Sequence, residues 1–340
     1  MAKYIFFATL WLLMKSQPKV SVIIPVKRIN DYIHESMDYI LNLDYPSFEI
    51  LIFPDEKDKI HSWPKTRIIA SGKVGPAEKR DLALKYASGK ILAFLDDDAY
   101  PEPDWLKKMV PFFRDGKVAA VGGPAITPDS DGVLQKVSGA IFESYVGGGF
   151  TRNRYLPIGK KKEEIDWPTV NLLVWREAFA EVGGFNCNYW PGEDTKLCLD
   201  LLEAGYKIIY NPKGIVYHHR RSDLLKHFKQ IGNYALHRGH FAKIYPKTSL
   251  KIGYFVPTLF DLYLIGLFLV YFLFDRSLFI VLFSLPLGFY LLGLMVDAII
   301  ISLLWRNPLV GLVTMPMIAL THIWYGVRFV QGLIVPKLKR

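Results

Sequence analysis

The sequence predicts an α/β fold, a doubly wound and mostly parallel sheet with helices on both faces, followed by an α-helical membrane region. Short apolar runs of strand length alternate with helical patterns over the first two thirds of the 340-residue chain, as in a parallel sheet. After Lys251, charged residues become sparse and long apolar stretches follow, which is typical of membrane segments.

The first elements set the pattern of the sheet. Val20–Pro25 and Phe48–Phe53 are apolar runs of strand length, and Asp31–Leu43 between them has a helical pattern. A further strand is expected at Thr66–Ser71, followed by a helix at Ala77–Ala87. Right-handed crossovers in such a sheet bring the carboxyl ends of the strands to one edge, where open α/β sheets bind ligands.

Three aspartates follow the next apolar strand, Ile91–Leu95. Because side chains alternate along a strand, Asp96 and Asp98 are expected on one side and Asp97 on the other. Two converging carboxylates are hard oxygen ligands for Mg²⁺ or Mn²⁺, ions that usually also bind substrate phosphates. The pattern therefore predicts a metal site for a diphosphate. The alternative is an acidic loop that caps the following helix.

Five short segments, taken in their order and spacing, carry a resemblance to a known family. They are Ser21–Pro25, Gly75–Asp81, Asp96–Asp98, Glu177–Phe185 and Glu193–Asp194. Together they make residues 20–240 resemble a family 2 glycosyltransferase with the nucleotide-sugar-binding fold called GT-A. The resemblance implies a metal-dependent, inverting transfer of a sugar from a nucleotide donor, with the second segment beneath the nucleotide and the third on the metal.

The catalytic base is expected in the last of these segments. Such a transfer requires stabilisation of the leaving diphosphate and removal of a proton from the attacking hydroxyl. Glu193 and Asp194 follow a Pro-Gly turn and open a helix, and we assign both to catalysis, with Asp194 as the base. The alternative, which is compatible with that role, is that they complement the helix dipole.

The residues expected to contact the donor lie at strand ends, on the helix beneath the nucleotide and in a basic stretch near residue 230. The chain departs from the resemblance at Gln230–Tyr234, where processive polysaccharide synthases carry an arginine and a tryptophan, and this departure favours addition of one sugar per encounter. The expected donor contacts are Pro25, Asp55, Lys79, Arg80, Asp96, Asp97, Gln230 and Arg238.

Two adjacent histidines, His218 and His219, precede a basic helix expected at Asp223–Tyr245. Zinc is disfavoured because no Cys or His lies at zinc-ligand spacing nearby. The histidines and the basic helix are instead expected to contact the donor diphosphate or anionic membrane groups. A solvated basic face is the alternative.

The C-terminal region contains three apolar stretches, Gly253–Phe274, Ser277–Trp305 and the shorter Leu309–Tyr325. A span of the bilayer core takes about 20 helical residues. Asp261 and Asp297 fall inside these stretches, and ionisable residues at membrane depth usually face protein or a functional cavity. Asp261 is equally expected near an interface.

The orientation in the membrane follows from the donor. Nucleotide sugars are cytoplasmic, so we expect a multi-pass protein of the cell (inner) membrane with its catalytic domain in the cytoplasm. Three full spans would leave the C-terminal basic residues outside, so Gly326–Val335 is a candidate interfacial segment. The apolar run Tyr4–Met14 is short for a span and is expected to lie against the membrane or the C-terminal helices, with a cleaved signal as the alternative.

These observations divide the chain into four parts. Residues 1–18 are an apolar membrane-associated segment, 19–217 the catalytic domain, 218–250 basic interfacial helices and 251–340 the membrane helices. Within the catalytic domain, the basic segment Thr151–Glu164 is expected to be a mobile loop near the acceptor. The net charge of +10 is ascribed to the membrane, and no nucleic-acid partner is expected.

The expected activity is transfer of a sugar from a UDP-, GDP- or dTDP-sugar to a lipid-linked acceptor, such as a polyprenyl-diphosphate saccharide, with Mg²⁺ or Mn²⁺ as cofactor. One alternative is a polyprenyl-phosphate glycosyl synthase, in which the attacking phosphate is already ionised and needs no base. Another is a non-catalytic membrane scaffold on the same fold. The presence of Asp96, Asp98 and Asp194 argues against the scaffold.

Overall fold

The computed structural model describes residues 17–187, 189–273 and 278–338. The chain forms two compact units. The first, which we call the sheet unit, comprises residues 17–126 and 156–219, and the second, the helical unit, comprises residues 127–155 and 220–338. Residues 127–155, which the sequence analysis placed in the catalytic domain, thus group with the C-terminal helices.

The sheet unit has an eight-stranded sheet in the order β3-β2-β1-β4-β9-β6-β10-β8 and a three-stranded sheet in the order β5-β11-β7. The strands are β1 (Val20–Pro25), β2 (Phe48–Phe53), β3 (Thr66–Ile68), β4 (Ile91–Leu95), β5 (Ala99–Pro101), β6 (Val118–Gly122), β7 (Ala125–Ile126), β8 (Lys162–Glu164), β9 (Asn171–Trp175), β10 (Lys207–Tyr210) and β11 (Val216–His218).

Most strands of the large sheet run in one direction. Strands β1 to β4 pair in parallel, and so do β6 and β10. Strand β9 is antiparallel to both of its neighbours, β4 and β6, so those two share a direction, and β8 is an antiparallel edge strand. The mostly parallel sheet that the sequence predicts is confirmed, with β9 as an antiparallel insertion that the alternation of strands and helices did not reveal.

Alternating side chains of the strands pack into two separate apolar cores, one on each face of the sheet. Val22 of β1 and Ala93 of β4 belong to one core, whereas Ile23 and Phe94, the next residues along each strand, belong to the other. Helices therefore cover both faces of the sheet, as predicted. The helices of the sheet unit are α1 (Asp31–Leu41), α2 (Pro76–Asp81), α3 (Ala83–Tyr86), α4 (Trp105–Met109), α7 (Arg176–Glu181) and α8 (Glu193–Glu203), with a 3-10 helix at Val110–Arg114.

The helical unit contains three helices that are long and apolar enough to cross a membrane. The third of these continues without a break to Ile334, so the expected interfacial segment Gly326–Val335 is instead largely its last turns. The apolar run Tyr4–Met14 lies outside the described residues. The helices of the unit are α5 (Val133–Glu143), α6 (Tyr145–Gly148), α9 (Leu224–Ile244), α10 (Pro246–Ser249), α11 (Ile252–Leu273), α12 (Leu278–Leu304) and α13 (Pro308–Ile334), with a 3-10 helix at Gly149–Arg154.

The basic helix α9 packs closely along the second half of α13. A Cβ atom at Gly239 would lie 2.1 Å from the carbonyl oxygen of Phe329, and one at Gly332 would lie 2.1 Å from that of Leu236, so both helices need glycine where they touch. The guanidinium of Arg328 donates to the carbonyl of Gly232. Helix α9 therefore packs against the part of α13 that contains the charged residue Arg328.

Residues 127–155 join the helical unit through an apolar face of α5. Val137, Ala140 and Ile141 pack with Leu294 of α12 and Ile318 of α13. Thr151–Arg154, part of the segment expected to be a mobile loop, lie in a 3-10 helix of this unit. The sequence of α5 does not by itself show against which core the helix packs.

Asp297 of α12 explains how a carboxylate is accommodated in an apolar helix. One of its oxygens accepts a hydrogen bond from the backbone N–H of Tyr145 at 3.1 Å and the other from that of Val146 at 2.6 Å. The side chain is 2% exposed. Asp297 therefore caps the first turn of α6, which confirms that its side chain faces protein. The same two hydrogen bonds attach the segment of residues 127–155 to α12.

Substitution of Asp297 by leucine should destabilise the helical unit. The two N–H groups would lose their acceptors in apolar surroundings, where an unsatisfied group costs about 1–3 kcal/mol. We expect a lower thermal unfolding midpoint in detergent, with Asp297→Asn intermediate because its amide retains one acceptor. Asp261→Asn is the matched control, since neither carboxylate oxygen of Asp261 has a hydrogen-bond partner within the described part of the chain. Equal midpoints for all four proteins would contradict the capping role.

Candidate active site

A cluster of two carboxylates and an imidazole lies where β4 and β11 end. One ligand atom from each of Asp96, Asp98 and His218 can be chosen so that all lie within 4.8 Å of one another. The Nε2 atom of His218 is 3.0 Å from a carboxylate oxygen of Asp98. Strand β11 pairs antiparallel with β5, which places His218 opposite Ala99 and so brings the histidine to the aspartates.

This cluster has the chemistry of a divalent-cation site. Carboxylate oxygens suit Mg²⁺ and Mn²⁺, and an imidazole nitrogen is a better ligand for Mn²⁺ than for the harder Mg²⁺. The sequence predicted the two aspartates as metal ligands but not His218, because His218 and His219 were compared only with the spacing of zinc ligands. The pairing of β11 with β5 links residues distant in sequence and is what brings His218 to this cluster.

Asp97 makes different contacts from Asp96 and Asp98. It is not among the grouped ligands, and one of its oxygens accepts a hydrogen bond from the side-chain amide of Asn30 at 2.9 Å. Burial raises the pKa of Asp97 to about 6, and the neighbouring charge of Asp98 acts in the same direction. The amide of Asn30 therefore holds this carboxyl group on the side of α1.

Arg80 bridges the metal cluster and the predicted base segment. Its guanidinium donates to Asp96 at 2.7 Å and to Glu193 at 3.1 Å, and the residue is only 4% exposed. Burial alone would lower the pKa of Arg80, but the charges of the two carboxylates outweigh burial and raise it. Two of its nitrogens are thus engaged by protein, so a contact with the donor stays a prediction.

Lys79 joins the ends of β1 and β2. Its ammonium group contacts the carboxylate of Asp55 and the backbone carbonyl of Val26, and the residue is buried. Pro25 is the last residue of β1. Four predicted donor contacts thus lie near one another: Pro25 and Asp55 at this end of β1 and β2, and Lys79 and Arg80 on α2. The ammonium group of Lys79 and the guanidinium of Arg80 are held by carboxylates.

The two acids that open α8 have different surroundings. Glu193 is 6% exposed and pairs with Arg80, and burial together with the charge of Asp194 raises the pKa of Glu193 to about 7. Asp194 is half-buried and accepts a hydrogen bond from the backbone N–H of Thr195 at 2.7 Å. Gly192 precedes them with a φ of 114°, a left-handed conformation that favours glycine. Asp194 is the more accessible of the two acids.

Gln230 and Arg238 belong to α9 of the helical unit. The amide of Gln230 donates to the hydroxyl of Tyr234 at 2.9 Å, and the guanidinium of Arg238 lies 5.0 Å from the ring centre of Tyr254. Contact of either residue with the donor stays a prediction.

Comparison with known proteins identifies related sequences over most of the chain. Residues 21–174 match the family described as Glycosyl transferase family 2. A dolichyl N-acetyl-α-D-glucosaminyl phosphate 3-β-D-2,3-diacetamido-2,3-dideoxy-β-D-glucuronosyltransferase from Methanococcus voltae is 25% identical over 334 residues, which cover 93% of this chain and 97% of that protein. A glucosyl-dolichyl phosphate glucuronosyltransferase from Haloferax volcanii is 24% identical over 227 residues, covering 59% of this chain and 69% of that protein.

Among solved structures, a mannosyltransferase from Pyrobaculum calidifontis in complex with GDP-Man and Mn²⁺ has 22% identity and a TM-score of 0.49, covering 72% of this chain and 71% of that chain. The family match covers all but the first residue of β1, all of β4 and most of β9, together with Asp96 and Asp98. The chain therefore carries a glycosyltransferase family 2 domain and is a glycosyltransferase, and three apolar helices follow the domain.

Proposed function

We propose that the protein transfers one sugar from a nucleotide donor to a lipid-linked saccharide at the cytoplasmic face of the membrane, with a divalent metal held by Asp96, Asp98 and His218. The observation that carries the proposal is that Arg80 donates to Asp96 of the metal cluster and to Glu193, the neighbour of the more accessible Asp194. One group can serve the leaving diphosphate and the other the attacking acceptor.

The donor side of the site is supported by the ends of β1, β2 and β4. When bound, Mn²⁺ or Mg²⁺ would neutralise the charge that develops on the leaving diphosphate. Asp96 is restrained by Arg80 and Asp98 by His218, so both carboxylates are oriented before the donor binds. We assign the nucleoside to Pro25, Asp55, Lys79 and Asp97 and the diphosphate to Arg80, with UDP, GDP and dTDP as the candidate nucleotides.

The acceptor side is assigned to Asp194. Its carboxylate accepts the proton of the acceptor hydroxyl as that oxygen attacks the anomeric carbon. Glu193 holds Arg80 and positions the start of α8 rather than taking the proton, since it is buried in an ion pair. A direct attack with a single base inverts the anomeric configuration.

The acceptor is proposed from the helical unit and the relatives. The two archaeal relatives act, by their names, on sugars joined to dolichyl phosphate. The three apolar helices would hold the sheet unit at the membrane, where a polyprenyl-linked saccharide is available. The nucleotide sugar places that unit in the cytoplasm, and residues 1–18 and 218–250 are proposed to lie against the membrane.

Removal of the metal ligands should abolish transfer. We expect Asp98→Ala and His218→Ala to lose at least about 10² in rate, the scale for groups that stabilise charge in the transition state, and to lose Mn²⁺-dependent binding of the nucleotide. Transfer is measured with a panel of nucleotide sugars and a polyprenyl-linked saccharide. His61→Ala is the matched control, since this histidine pairs with Asp58. Wild-type rates in Asp98→Ala, or full activity in excess chelator, would remove the metal from the proposal.

Substitution of the base should lower the rate while leaving the donor bound. Asp194→Asn keeps the shape but removes the proton acceptor, so transfer should fall by about 10²–10⁴, with little change in nucleotide affinity. Asp200→Asn is the control on the same helix, because Asp200 pairs with Lys196.

The same substitution separates two acceptors. With a polyprenyl phosphate, which is already ionised at neutral pH, Asp194→Asn should cost much less than with a polyprenyl-linked saccharide. The two rates are compared in one preparation of each protein. If the wild type uses only the lipid phosphate, the alternative polyprenyl-phosphate synthase is correct, and if Asp194→Asn retains the wild-type rate on every substrate, Asp194 is not the base.

A further inference from the structure

Helix α1 contacts both segments that carry the metal cluster. The amide of Asn30, which precedes α1, donates to Asp97, and the hydroxyl of Ser36 donates to the backbone carbonyl of Ala99, each at 2.9 Å. The carboxylate of Glu35 lies 2.9 Å from the Nε2 atom of His219. The first turns of one helix therefore reach the residues that follow β4 and the residue that follows β11.

The position of α1 is itself fixed by the core. Asn30 caps the helix by accepting a hydrogen bond from the backbone N–H of Ile33 at 3.0 Å. Ile33, Met37 and Ile40 are fully buried in one of the two cores of the sheet unit. With the apolar face of α1 held in this way, Glu35 has a defined place beside the end of β11.

His218, the last residue of β11, and His219, which follows it, have different partners. His218 approaches Asp98, whereas the ring of His219 lies between Tyr32 and Tyr100, with ring centres at 4.8 and 5.7 Å. The backbone N–H of His219 donates to the carbonyl of Asp98 at 3.0 Å. His219 is 8% exposed. Because the two residues are adjacent, a change in the backbone conformation at His219 would also reorient His218.

The strand that presents His218 is short. It comprises Val216–His218, and its pairing with β5 ends at His218. A three-residue strand has few ladder hydrogen bonds to define where its last residue points. The hydrogen bond between His219 and Glu35 adds a constraint immediately beyond that point. If the Nε2 atom of His219 carries the proton, Glu35 is the acceptor.

We propose that Glu35 is a positioning residue for the metal cluster: by accepting a hydrogen bond from His219 it fixes the end of β11 and, through it, the orientation of His218 toward the metal. This inference rests on the metal assignment of the proposed function. It adds a residue of α1 that is outside the metal cluster and outside every segment of the family resemblance.

The test is Mn²⁺ affinity in the full-length protein, measured from the electron paramagnetic resonance signal of free Mn²⁺ with GDP or UDP present. Glu35→Ala should raise the dissociation constant about tenfold, since loss of a group that orients a metal ligand typically costs 10–100-fold. Glu35→Gln retains an acceptor oxygen and should bind Mn²⁺ as the wild type does. In the transfer reaction, Glu35→Ala should raise the Mn²⁺ concentration for half-maximal rate and leave kcat unchanged.

The matched control is Glu181→Ala. Glu181 also accepts a side-chain hydrogen bond, from the hydroxyl of Tyr206. It is the last residue of α7, which follows β9, and the last residue of β9 pairs with Ile91, at the end of β4 away from the aspartates. If Glu35→Ala does not fold, His219→Phe keeps a ring between Tyr32 and Tyr100 but removes the donor, and the same weakening is expected.

The outcomes separate this inference from the proposed function. Unchanged Mn²⁺ affinity in Glu35→Ala or His219→Phe, together with its loss in Asp98→Ala, would overturn the role of Glu35 alone. Unchanged affinity in Asp98→Ala would overturn the metal assignment. Equal weakening in Glu35→Ala and Glu35→Gln would also contradict the inference, because the hydrogen bond would then not be the cause.

Discussion

The buried guanidinium of Arg80 is the constraint on which the site depends. It takes a cation out of water, and such burial is tolerated when well-placed carboxylates satisfy the charge. Those carboxylates belong to Asp96 at the end of β4 and Glu193 at the start of α8, two segments far apart in sequence. Removing the guanidinium would leave the carboxylate of Glu193 buried without its cation, and breaking a buried pair in this way typically costs about 3–5 kcal/mol. The three residues therefore hold the proposed metal-binding and base segments together as one structure.

This arrangement gives each acidic residue a different surrounding. Asp96 and Asp98 converge with His218, Asp97 turns toward Asn30, and Glu193 is held by Arg80. Asp194 is left as the accessible carboxylate of its pair. Carboxylates of the same chemistry can therefore take different roles, because their partners and burial differ. The proposed roles are metal binding, a hydrogen bond to Asn30, an ion pair with Arg80 and proton transfer.

Sequence patterns predicted the features that depend on local periodicity. The alternation of strands and helices predicted the sheet. Patterns could not show the direction of β9, since a buried apolar strand has the same sequence pattern whether it runs parallel or antiparallel to its neighbours. Nor could they show that α5 packs against the C-terminal helices, because an apolar face predicts burial without naming its partner.

The charged residues were harder to place than the apolar ones. The sequence does not show that the ammonium group of Lys79, which is expected at the donor, is buried against Asp55. Nor does it show that β5 and β11 bring His218 to Asp98. Both placements come from contacts between residues distant in sequence, which a single sequence does not display.

The central claim is that Asp96, Asp98 and His218 bind one metal ion at the end of β4. It is tested most directly by anomalous diffraction at the manganese absorption edge, using crystals grown with Mn²⁺ and either GDP or UDP. The account predicts a single strong anomalous peak in coordinating contact with His218 and at least one of the two aspartates, with the diphosphate of the nucleotide on the same ion. A nucleotide bound with no anomalous peak at these residues, or a peak held by other side chains, would contradict it.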